Sequence, residues 1–295
     1  MQVIDLHFQG IPNAIAAYLV ETDAGPILIE TGPHSTLPRL ETELSKLGYV
    51  LEDIQHVFLT HIHLDHAGAA WAFAQKGASI YVHPVGLPHL ENPDKLMASA
   101  RRIYKNDMDR LWGQMKAIPT AQLKAVEHEA RFQIGNKSLR ALHTPGHASH
   151  HIAWVIDGQI IAGDVAGVRM GDGPVVPPCP PPDINVEDWE RSIQILLAEA
   201  PEQLLLTHFG AVRDIETHLE ALKVELRAWA NWIKPHYLQG NTPKEVTPAF
   251  QAFIQERLVR KGVSEKGLQQ YEIANPSWMS VAGLMRYWHK KNQDR

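Results

Sequence analysis

The chain has 295 residues, of which 44% are hydrophobic and 21% are charged, and its formal net charge is −5. A chain of this composition can bury a sizeable core, which excludes an intrinsically disordered protein. The negative net charge and the lack of any long basic run argue against a nucleic-acid-binding protein, because phosphate backbones require clustered Lys and Arg.

The single cysteine, Cys179, excludes an intrachain disulfide and indicates a reducing compartment. The first residues, MQVIDLHFQG, lack the charged and apolar regions of a signal peptide, and no apolar stretch is long enough to span a bilayer. The sequence therefore predicts a soluble, cytoplasmic protein with no membrane partner.

The first third of the chain alternates short apolar runs with turns, which is typical of a mixed α/β fold. The predicted strands are VIDLHF, AIAAYLVE, PILIET, IQHVFLT and SIYVH, and the predicted helices are LPRLETELSKLG and HAGAAWAFAQKG. Residues 92–118 then place apolar side chains three or four positions apart. That spacing predicts one long amphipathic helix, or two helices broken near Asn106.

Strands return in the second half of the chain, and a proline-rich loop (residues 174–182) separates the last of them from the others. These strands are QLKAVEH, SLRALHT, HIAWVID, QIIAGD and QLLLTH. Helices are predicted over 187–199 and from Ile215 to Ile233, and Pro235 and Gly240 are predicted to break the chain after the second. We therefore predict a domain over residues 1–236, with a helical insertion at 92–118, and a helical C-terminal extension over residues 237–295.

The most informative segment is FLTHIHLDHAGAA, residues 58–70, because four potential metal ligands crowd into six positions. Residues two apart in an extended segment point the same way, so His61 and His63 project together from the end of a predicted strand. Asp65 and His66 follow where the next helix begins. Neutral imidazole and carboxylate are ligands that Zn²⁺ and similar divalent ions accept. The spacing predicts a metal site at this strand-to-helix corner.

Three further candidate ligands, His147, Asp164 and His208, each stand at the end of a predicted strand. Four groups from one short segment cannot all bind a single tetrahedral ion and leave a position open. Two ions, completed by ligands from other segments, would accommodate them. Ligands at successive strand ends indicate a site along one rim of a sheet.

The order H-x-H-x-D-H, then His after T-P-G, Asp in A-G-D and His in T-H-F-G, resembles the metallo-β-lactamase-fold metallohydrolases over residues 1–233. The resemblance implies a four-layer αββα sandwich with a dinuclear site at one edge. It also implies two ligand sets that share Asp164 as a bridge: His61, His63 and His147 for one ion, and Asp65, His66 and His208 for the other.

The chain also departs from that family in instructive ways. The segment IETGP resembles the family's D-T-G turn, whose acid supports the ligand histidines, but Glu30 stands where Asp is usual. Many zinc β-lactamases carry Cys where this chain has Asp164, so antibiotic hydrolysis is not the expected role. His34 and His151 are assigned to the support of the ligands or to the rim of the substrate site.

The resemblance implies a hydrolase with two divalent ions, with Zn favoured and Fe or Mn possible. Two such ions can share a water and lower its pKa to about 7, giving a bridging hydroxide that attacks the substrate. Asp65 is the candidate proton carrier. The acidic balance and the apolar helices favour a small ester, thioester or lactone as the substrate.

Three alternatives stay open within the same fold. One is a mononuclear iron oxygenase acting on persulfides, with ligands matching His61, His147 and Asp164. The second is a phosphodiesterase or nuclease, which the net charge disfavours, and the third is a non-catalytic metal-containing sensor. The insertion and the C-terminal helices could form a lid or a homodimer interface.

Overall fold

The computed structural model describes residues 1–293. The chain divides into two compact units, one formed by residues 1–143 with 152–161, and the other by residues 144–151 with those from 162 onward. The division separates the candidate ligands of the 61–66 corner from the three that lie further along the chain.

The first unit contains all the elements up to residue 161. Its strands are β1 (Gln2–Asp5), β2 (Ala16–Val20), β3 (Ile27–Ile29), β4 (His56–Phe58), β5 (Ser79–Val82), β6 (Leu123–Ala125), β7 (Arg131–Ile134), β8 (Lys137–His143), β9 (Ile152–Ile156) and β10 (Gln159–Ile161). Its α-helices are α1 (Leu37–Lys46), α2 (Leu64–Ala67), α3 (Ala70–Ala74), α4 (Leu87–Glu91), α5 (Asp94–Tyr104) and α6 (Met108–Leu111).

Strands β1 to β6 form one sheet in sequence order, with β3 to β6 parallel. Ile29 is aligned with Phe58, and Phe58 with Tyr81. Parallel strands buried on both faces read as continuous apolar runs, which is how ILI and HVF occur in the sequence. Because the carboxyl ends of parallel strands meet at one edge, this sheet places the residues after β4 along its rim.

Strands β7 to β10 form an antiparallel arrangement in the order β10-β9-β8-β7. Its Trp154 packs on Phe58 of the first sheet, with ring centroids 4.9 Å apart, and Phe132 packs on Tyr81 at the same separation. The Trp154 indole donates to the Leu59 carbonyl at 3.0 Å. The two sheets of this unit therefore enclose an aromatic core that also secures the backbone just after β4.

The insertion contains two helices, α5 and α6, rather than one long helix, and α4 lies just before it. A turn of 3₁₀-helix over residues 105–107 separates α5 from α6, so the predicted break near Asn106 is confirmed. The insertion contacts the rest of its unit through Ser35, which donates to the Leu111 carbonyl at 2.5 Å, and Trp71, which donates to the Gln114 carbonyl at 3.0 Å.

The second unit carries the remaining elements. They are α7 (Val186–Ala198), β11 (Gln203–Leu206), β12 (Gly210–Val212), α8 (Ile215–Leu238), α9 (Pro243–Arg260), α10 (Glu265–Ala274) and α11 (Ser277–Gln293). The three helices from residue 243 onward agree with the predicted helical tail, and a capping box of Thr242 and Glu245 begins the first. The domain boundary predicted at residue 236 stays a prediction.

The predicted break at Pro235 is wrong, because α8 continues through it to Leu238. The proline removes one backbone donor, but the next turn still closes through the Gln239 N–H on the Pro235 carbonyl at 3.0 Å. The helix ends at Leu238, just before Gly240, which adopts a left-handed φ of 77°, so the break predicted at Gly240 is confirmed. Across residues 1–293, no helix has both the length and the apolar character needed to cross a membrane.

His218 of α8 is buried, and its Nε2 donates to the Ala166 carbonyl at 2.8 Å. Burial lowers the pKa of His218 from 6.5 to about 4, and Arg169 adds to this, whereas the Ala166 carbonyl and Asp214 act in the opposite direction. The unfolded chain therefore takes up a proton at a higher pH than the folded chain does. His218 should cost the protein up to about 3 kcal/mol of unfolding free energy as the pH falls from 6.5 to about 4.

The measurement is denaturant unfolding of the metal-free protein at several pH values. His218→Gln retains an N–H donor for the Ala166 carbonyl and cannot titrate, so its loss of stability on acidification should be smaller by that amount. Parallel pH curves for the wild type and the variant would contradict the assignment.

Candidate metal centre

The four candidate ligands of the 61–66 corner lie close together in the first unit. His61 and His66 are fully buried with ring centroids 3.9 Å apart, and His61 Nε2 lies 2.9 Å from His63 Nδ1. Asp65 Oδ2 lies 3.7 Å from His66 Nε2. The turn after β4 and the short α2 therefore present three imidazoles and one carboxylate within a few ångströms.

Glu30 and Thr60 determine which nitrogen of each buried histidine carries its proton. The Glu30 carboxylate accepts from the Thr60 hydroxyl, and it lies 3.3 Å from His66 Nδ1, which must therefore be protonated. The Thr60 oxygen, having donated its hydrogen, accepts from His61 Nδ1 at 3.0 Å. The Nε2 atoms of His61 and His66 are left with a lone pair each, which is the form that binds a metal.

Glu30 is completely buried and has a left-handed φ of 66°. That region is uncommon for a residue with a side chain and is often found at functional sites. The longer Glu side chain thus reaches Thr60 and His66 from an unusual backbone conformation, and its role in supporting the metal ligands stays a prediction.

The second unit brings its three candidate ligands together around Asp164. Oδ2 of Asp164 lies 3.3 Å from His147 Nε2, and Oδ1 lies 3.5 Å from His208 Nε2. All three side chains are at most 4% exposed. His147 precedes β9, Asp164 follows β10 in a turn of 3₁₀-helix, and His208 follows β11. Each therefore stands beside a strand, as the sequence indicated.

The donor set of the second unit suits a divalent cation. His147 Nδ1 lies 2.8 Å from the Pro178 carbonyl, which can only accept, so Nδ1 carries a hydrogen and, in the neutral ring, Nε2 has a lone pair. That lone pair faces a carboxylate oxygen of Asp164 at 3.3 Å. Two buried acceptors at this distance repel one another unless a positive charge lies between them. A metal ion bound to both atoms meets this requirement.

His151 is placed to support Asp164 rather than to bind a metal itself. Its Nε2 accepts from the Asp164 N–H at 3.2 Å, so its protonated Nδ1 donates to the Thr144 hydroxyl at 2.9 Å. Both ring nitrogens are therefore engaged inside the second unit. The imidazole holds the backbone of Asp164 in the turn that presents its carboxylate.

His34 lies in the first unit, where the insertion packs on it. Its Nδ1 accepts from the Gln114 N–H at 3.2 Å, and its ring lies 5.1 Å from that of Trp71. Burial, with a contribution from Lys116, lowers the pKa of His34 and favours the neutral form. These contacts give His34 an anchoring role for the insertion, and the rim role stays a prediction.

Sequence reasoning missed the residues that orient the ligands, chiefly Thr60, Thr144 and Pro178. Thr60 was detectable in principle, because L-T-H occurs at both 59–61 and 206–208, directly after β4 and at the end of β11, whereas Thr144 has no such repeat around it. Pro178 had no comparable signal, since it contacts His147 through its backbone carbonyl from 31 positions away.

An α/β chain with two sheets, and with His and Asp side chains grouped beside strand ends, has the features of a metalloprotein. The family model described as the metallo-beta-lactamase superfamily matches residues 10–208. The chain belongs to the metallo-beta-lactamase superfamily, most of whose members are metal-dependent hydrolases. The predicted fold class, a metallo-β-lactamase sandwich with a helical insertion and a helical C-terminal region, is confirmed.

Individual relatives agree with this assignment. The chain is 28% identical over 218 residues to the metallo-beta-lactamase fold-containing protein ST1585 of Sulfurisphaera tokodaii, covering 72% of this chain and 79% of the relative. The crystal structure of ST1585 superposes with a TM-score of 0.59 at 25% identity, over 70% of this chain and 80% of that one.

Two further comparisons cover different shares of this chain. A metallo-beta-lactamase family protein of Thermus thermophilus superposes with a TM-score of 0.69 over 94% of this chain and 89% of its own, at 20% identity, which shows a shared fold. An N-acyl homoserine lactonase of Bacillus cereus is 27% identical over 163 residues, covering 48% of this chain and 57% of the lactonase.

Proposed function

We propose that this protein is a dinuclear metal-dependent hydrolase that cleaves a small ester, thioester or lactone. The observation that carries the proposal is the buried Asp164 carboxylate, whose two oxygens each face the Nε2 of a histidine, His147 and His208, at 3.3 and 3.5 Å. Such a carboxylate, with both oxygens directed at ligand-type nitrogens, is suited to serve two cations at once.

The ligands divide into two sets in this proposal. They are His61, His63 and His147 for one ion and Asp65, His66 and His208 for the other, with Asp164 serving both. Support comes from membership of the superfamily and from the hydrogen bonds that leave a lone pair on Nε2 of His61, His66 and His147. Imidazole and carboxylate ligands favour zinc, and iron or manganese would also fit.

Two bound divalent ions would supply a water of lowered pKa at neutral pH and would polarise the scissile carbonyl. The residues of the chain itself do the positioning: Glu30 and Thr60 hold His61 and His66, while His151 holds the backbone of Asp164. Asp65 lies in the first turn of α2 and is half-buried, so it is partly accessible to solvent. We assign it the transfer of the proton from the attacking water to the leaving group.

Two observations support the proposal of a small ester-type substrate. A relative in this superfamily is named as an N-acyl homoserine lactonase, although it covers only part of this chain. The net charge of −5 disfavours a polyanionic substrate such as RNA. A cytoplasmic location is proposed from the single cysteine, which is buried, and a homodimer through the C-terminal helices also stays a proposal.

Elemental analysis of the natively loaded protein, combined with turnover assays on a panel of lactones, thioesters and phosphodiesters, tests the proposal. We expect two metal ions per chain, hydrolysis of at least one lactone or thioester, and loss of both after removal of the metals by a chelator. One iron per chain with oxygen consumption would overturn the proposal in favour of an oxygenase. Full metal loading without turnover of any panel member would overturn it in favour of a sensor.

A further inference from the structure

The proline-rich loop, residues 174–182, is held by side chains of the C-terminal helices. Proline has no N–H, so this loop makes few hydrogen bonds of its own and its carbonyls need donors from elsewhere. Tyr271 of α10 donates its hydroxyl to the Pro174 carbonyl at 2.6 Å, and Asn275, just after α10, donates its side-chain amide to the Pro177 carbonyl at 3.1 Å. The loop conformation thus depends on residues about 100 positions further along the chain.

Asn275 and Ser280 form a connected pair at the centre of this contact. The Ser280 hydroxyl donates to Asn275 Oδ1 at 3.1 Å and accepts from the Cys179 N–H at 3.3 Å. Asn275 is 7% exposed and Ser280 is fully buried, so water cannot readily replace either bond. The pair therefore holds the backbone on both sides of Pro178.

The peptide group between Pro178 and Cys179 links this pair to the candidate metal centre. Its N–H points to Ser280, and its carbonyl accepts from His147 Nδ1 at 2.8 Å. A peptide group is planar, and in the trans form its N–H and C=O point in opposite directions. Fixing the N–H on Ser280 therefore fixes the direction of the carbonyl that orients the His147 ring.

The backbone of α11 lies directly against the same segment. A Cβ placed on Gly283 would be 2.0 Å from the Cys179 carbonyl oxygen, so only glycine allows this approach. The thiol of Cys179 is buried, and burial raises the pKa of this thiol well above its ordinary value. Cys179 therefore contributes to this arrangement through its backbone, and its thiol stays neutral.

We propose that Asn275 and Ser280 are positioning residues for the metal centre. They clamp the Pro177–Cys179 backbone so that the Pro178 carbonyl holds His147 with its proton on Nδ1 and its lone pair on Nε2. This inference rests on the proposed function, in which His147 binds one of two ions. According to this inference, the C-terminal helices help to form the metal centre, in addition to any role as a lid or an interface.

The test compares metal binding by Ser280→Ala and Asn275→Asp with that of the wild type. Ser280→Ala removes the acceptor for the Cys179 N–H, and Asn275→Asp removes the donor to the Pro177 carbonyl at almost unchanged volume. Loss of a partner that orients a metal-ligating histidine typically weakens metal binding 10- to 100-fold. We expect a loss of that size for one of the two ions, with the affinity for the other within about twofold of the wild type.

Zinc titration of the metal-free full-length chain against a chromophoric chelator gives the two affinities, and the Co²⁺ absorption spectrum reports the altered site directly. The matched control is Tyr287→Phe, which removes a hydroxyl of α11 that donates to Glu187 at 3.0 Å and accepts from Lys291 at 2.8 Å. It should bind both ions as the wild type does. The Tm of each metal-free variant separates altered metal binding from a general loss of packing.

Each outcome is decisive. If the wild type binds two ions and both variants bind them with unchanged affinity, the inference is wrong while the proposed function stands. If both affinities fall together, in proportion to the fall in Tm, Asn275 and Ser280 contribute only to packing and the inference is again overturned. Failure of the wild type to bind two ions would instead refute the proposed function. Asn275→Asp provides the measurement should Ser280→Ala fail to fold.

Discussion

Asp164→Ala is expected to lower kcat/KM by at least about 100-fold and to leave the protein unable to hold two metal ions. Asp164 is buried, with one carboxylate oxygen facing His147 and the other facing His208. Changing a partner that merely orients a ligand already costs 10- to 100-fold in metal affinity or activity, so the loss of a shared ligand should cost at least the upper end of that range.

Two controls distinguish a ligand from a structural carboxylate. Asp183→Asn changes another Asp of the second unit, one that accepts from the Ser149 hydroxyl at 2.7 Å, and should retain both ions. The Tm of metal-free Asp164→Ala should equal or exceed that of the metal-free wild type, because the variant removes a buried carboxylate that faces the lone pair of His147. A metal-free variant that is strongly destabilised, or an Asp164→Ala protein with two ions and normal turnover, would contradict the assignment.

The sequence was sufficient to predict that the candidate ligands of the 61–66 corner lie close together, because local geometry dictates that grouping. His61, His63 and His66 are neighbours in the chain, and a strand end followed by a helix brings their rings together. Parallel pairing of β3, β4 and β5 puts the residues after β4 at a sheet edge. Both features follow from periodicity and from turn residues, which a single sequence contains.

The hydrogen bonds that orient those ligands could not be predicted, because they depend on long-range packing. The proton of His147 is directed by the Pro178 carbonyl, whose peptide is in turn held by Ser280, 101 positions away from Cys179. No local pattern marks a backbone carbonyl as a hydrogen-bond acceptor for a ligand. The sequence assigned His151 to ligand support or to the rim but could not identify its partner, since Asp164 becomes its neighbour only through the turn after β10.

The break predicted at Pro235 was wrong for a related reason. Hydrophobic periodicity marks which face of a segment is buried, but it does not register whether the backbone donors are still satisfied. The apolar spacing continues across the 3₁₀ turn at 105–107, so it fits one helix as well as the two that the structure contains, and α8 continues past Pro235. In both places the local hydrogen bonds, rather than the pattern of side chains, decide where the helix stops.

Gly146→Ala is the second change from which we expect a large effect. Gly146 directly precedes His147, and a side chain at this position is disfavoured both by the backbone conformation and by the lack of space. Its φ of 133° lies where a side chain is disfavoured, and a Cβ would be 2.3 Å from both N and Cα of Trp189 in α7. The clash is with helix backbone, so no rotamer change relieves it. Left-handed strain costs about 1–2 kcal/mol, and overpacking adds about 1–3 kcal/mol.

We therefore expect Gly146→Ala to lower the free energy of unfolding by about 2–5 kcal/mol and to weaken metal binding through displacement of His147. The matched control is Gly171→Ala, because Gly171 has a left-handed φ of 55° and no atom within 4 Å of its Cβ position. Gly171→Ala should lose only the stability that the backbone strain costs, and it should bind metal as the wild type does. Denaturant unfolding of the metal-free proteins provides the comparison. Equal destabilisation by the two variants would mean that the approach of α7 to Gly146 does not constrain this turn, and the T-P-G-H segment would then need another reason for its glycine.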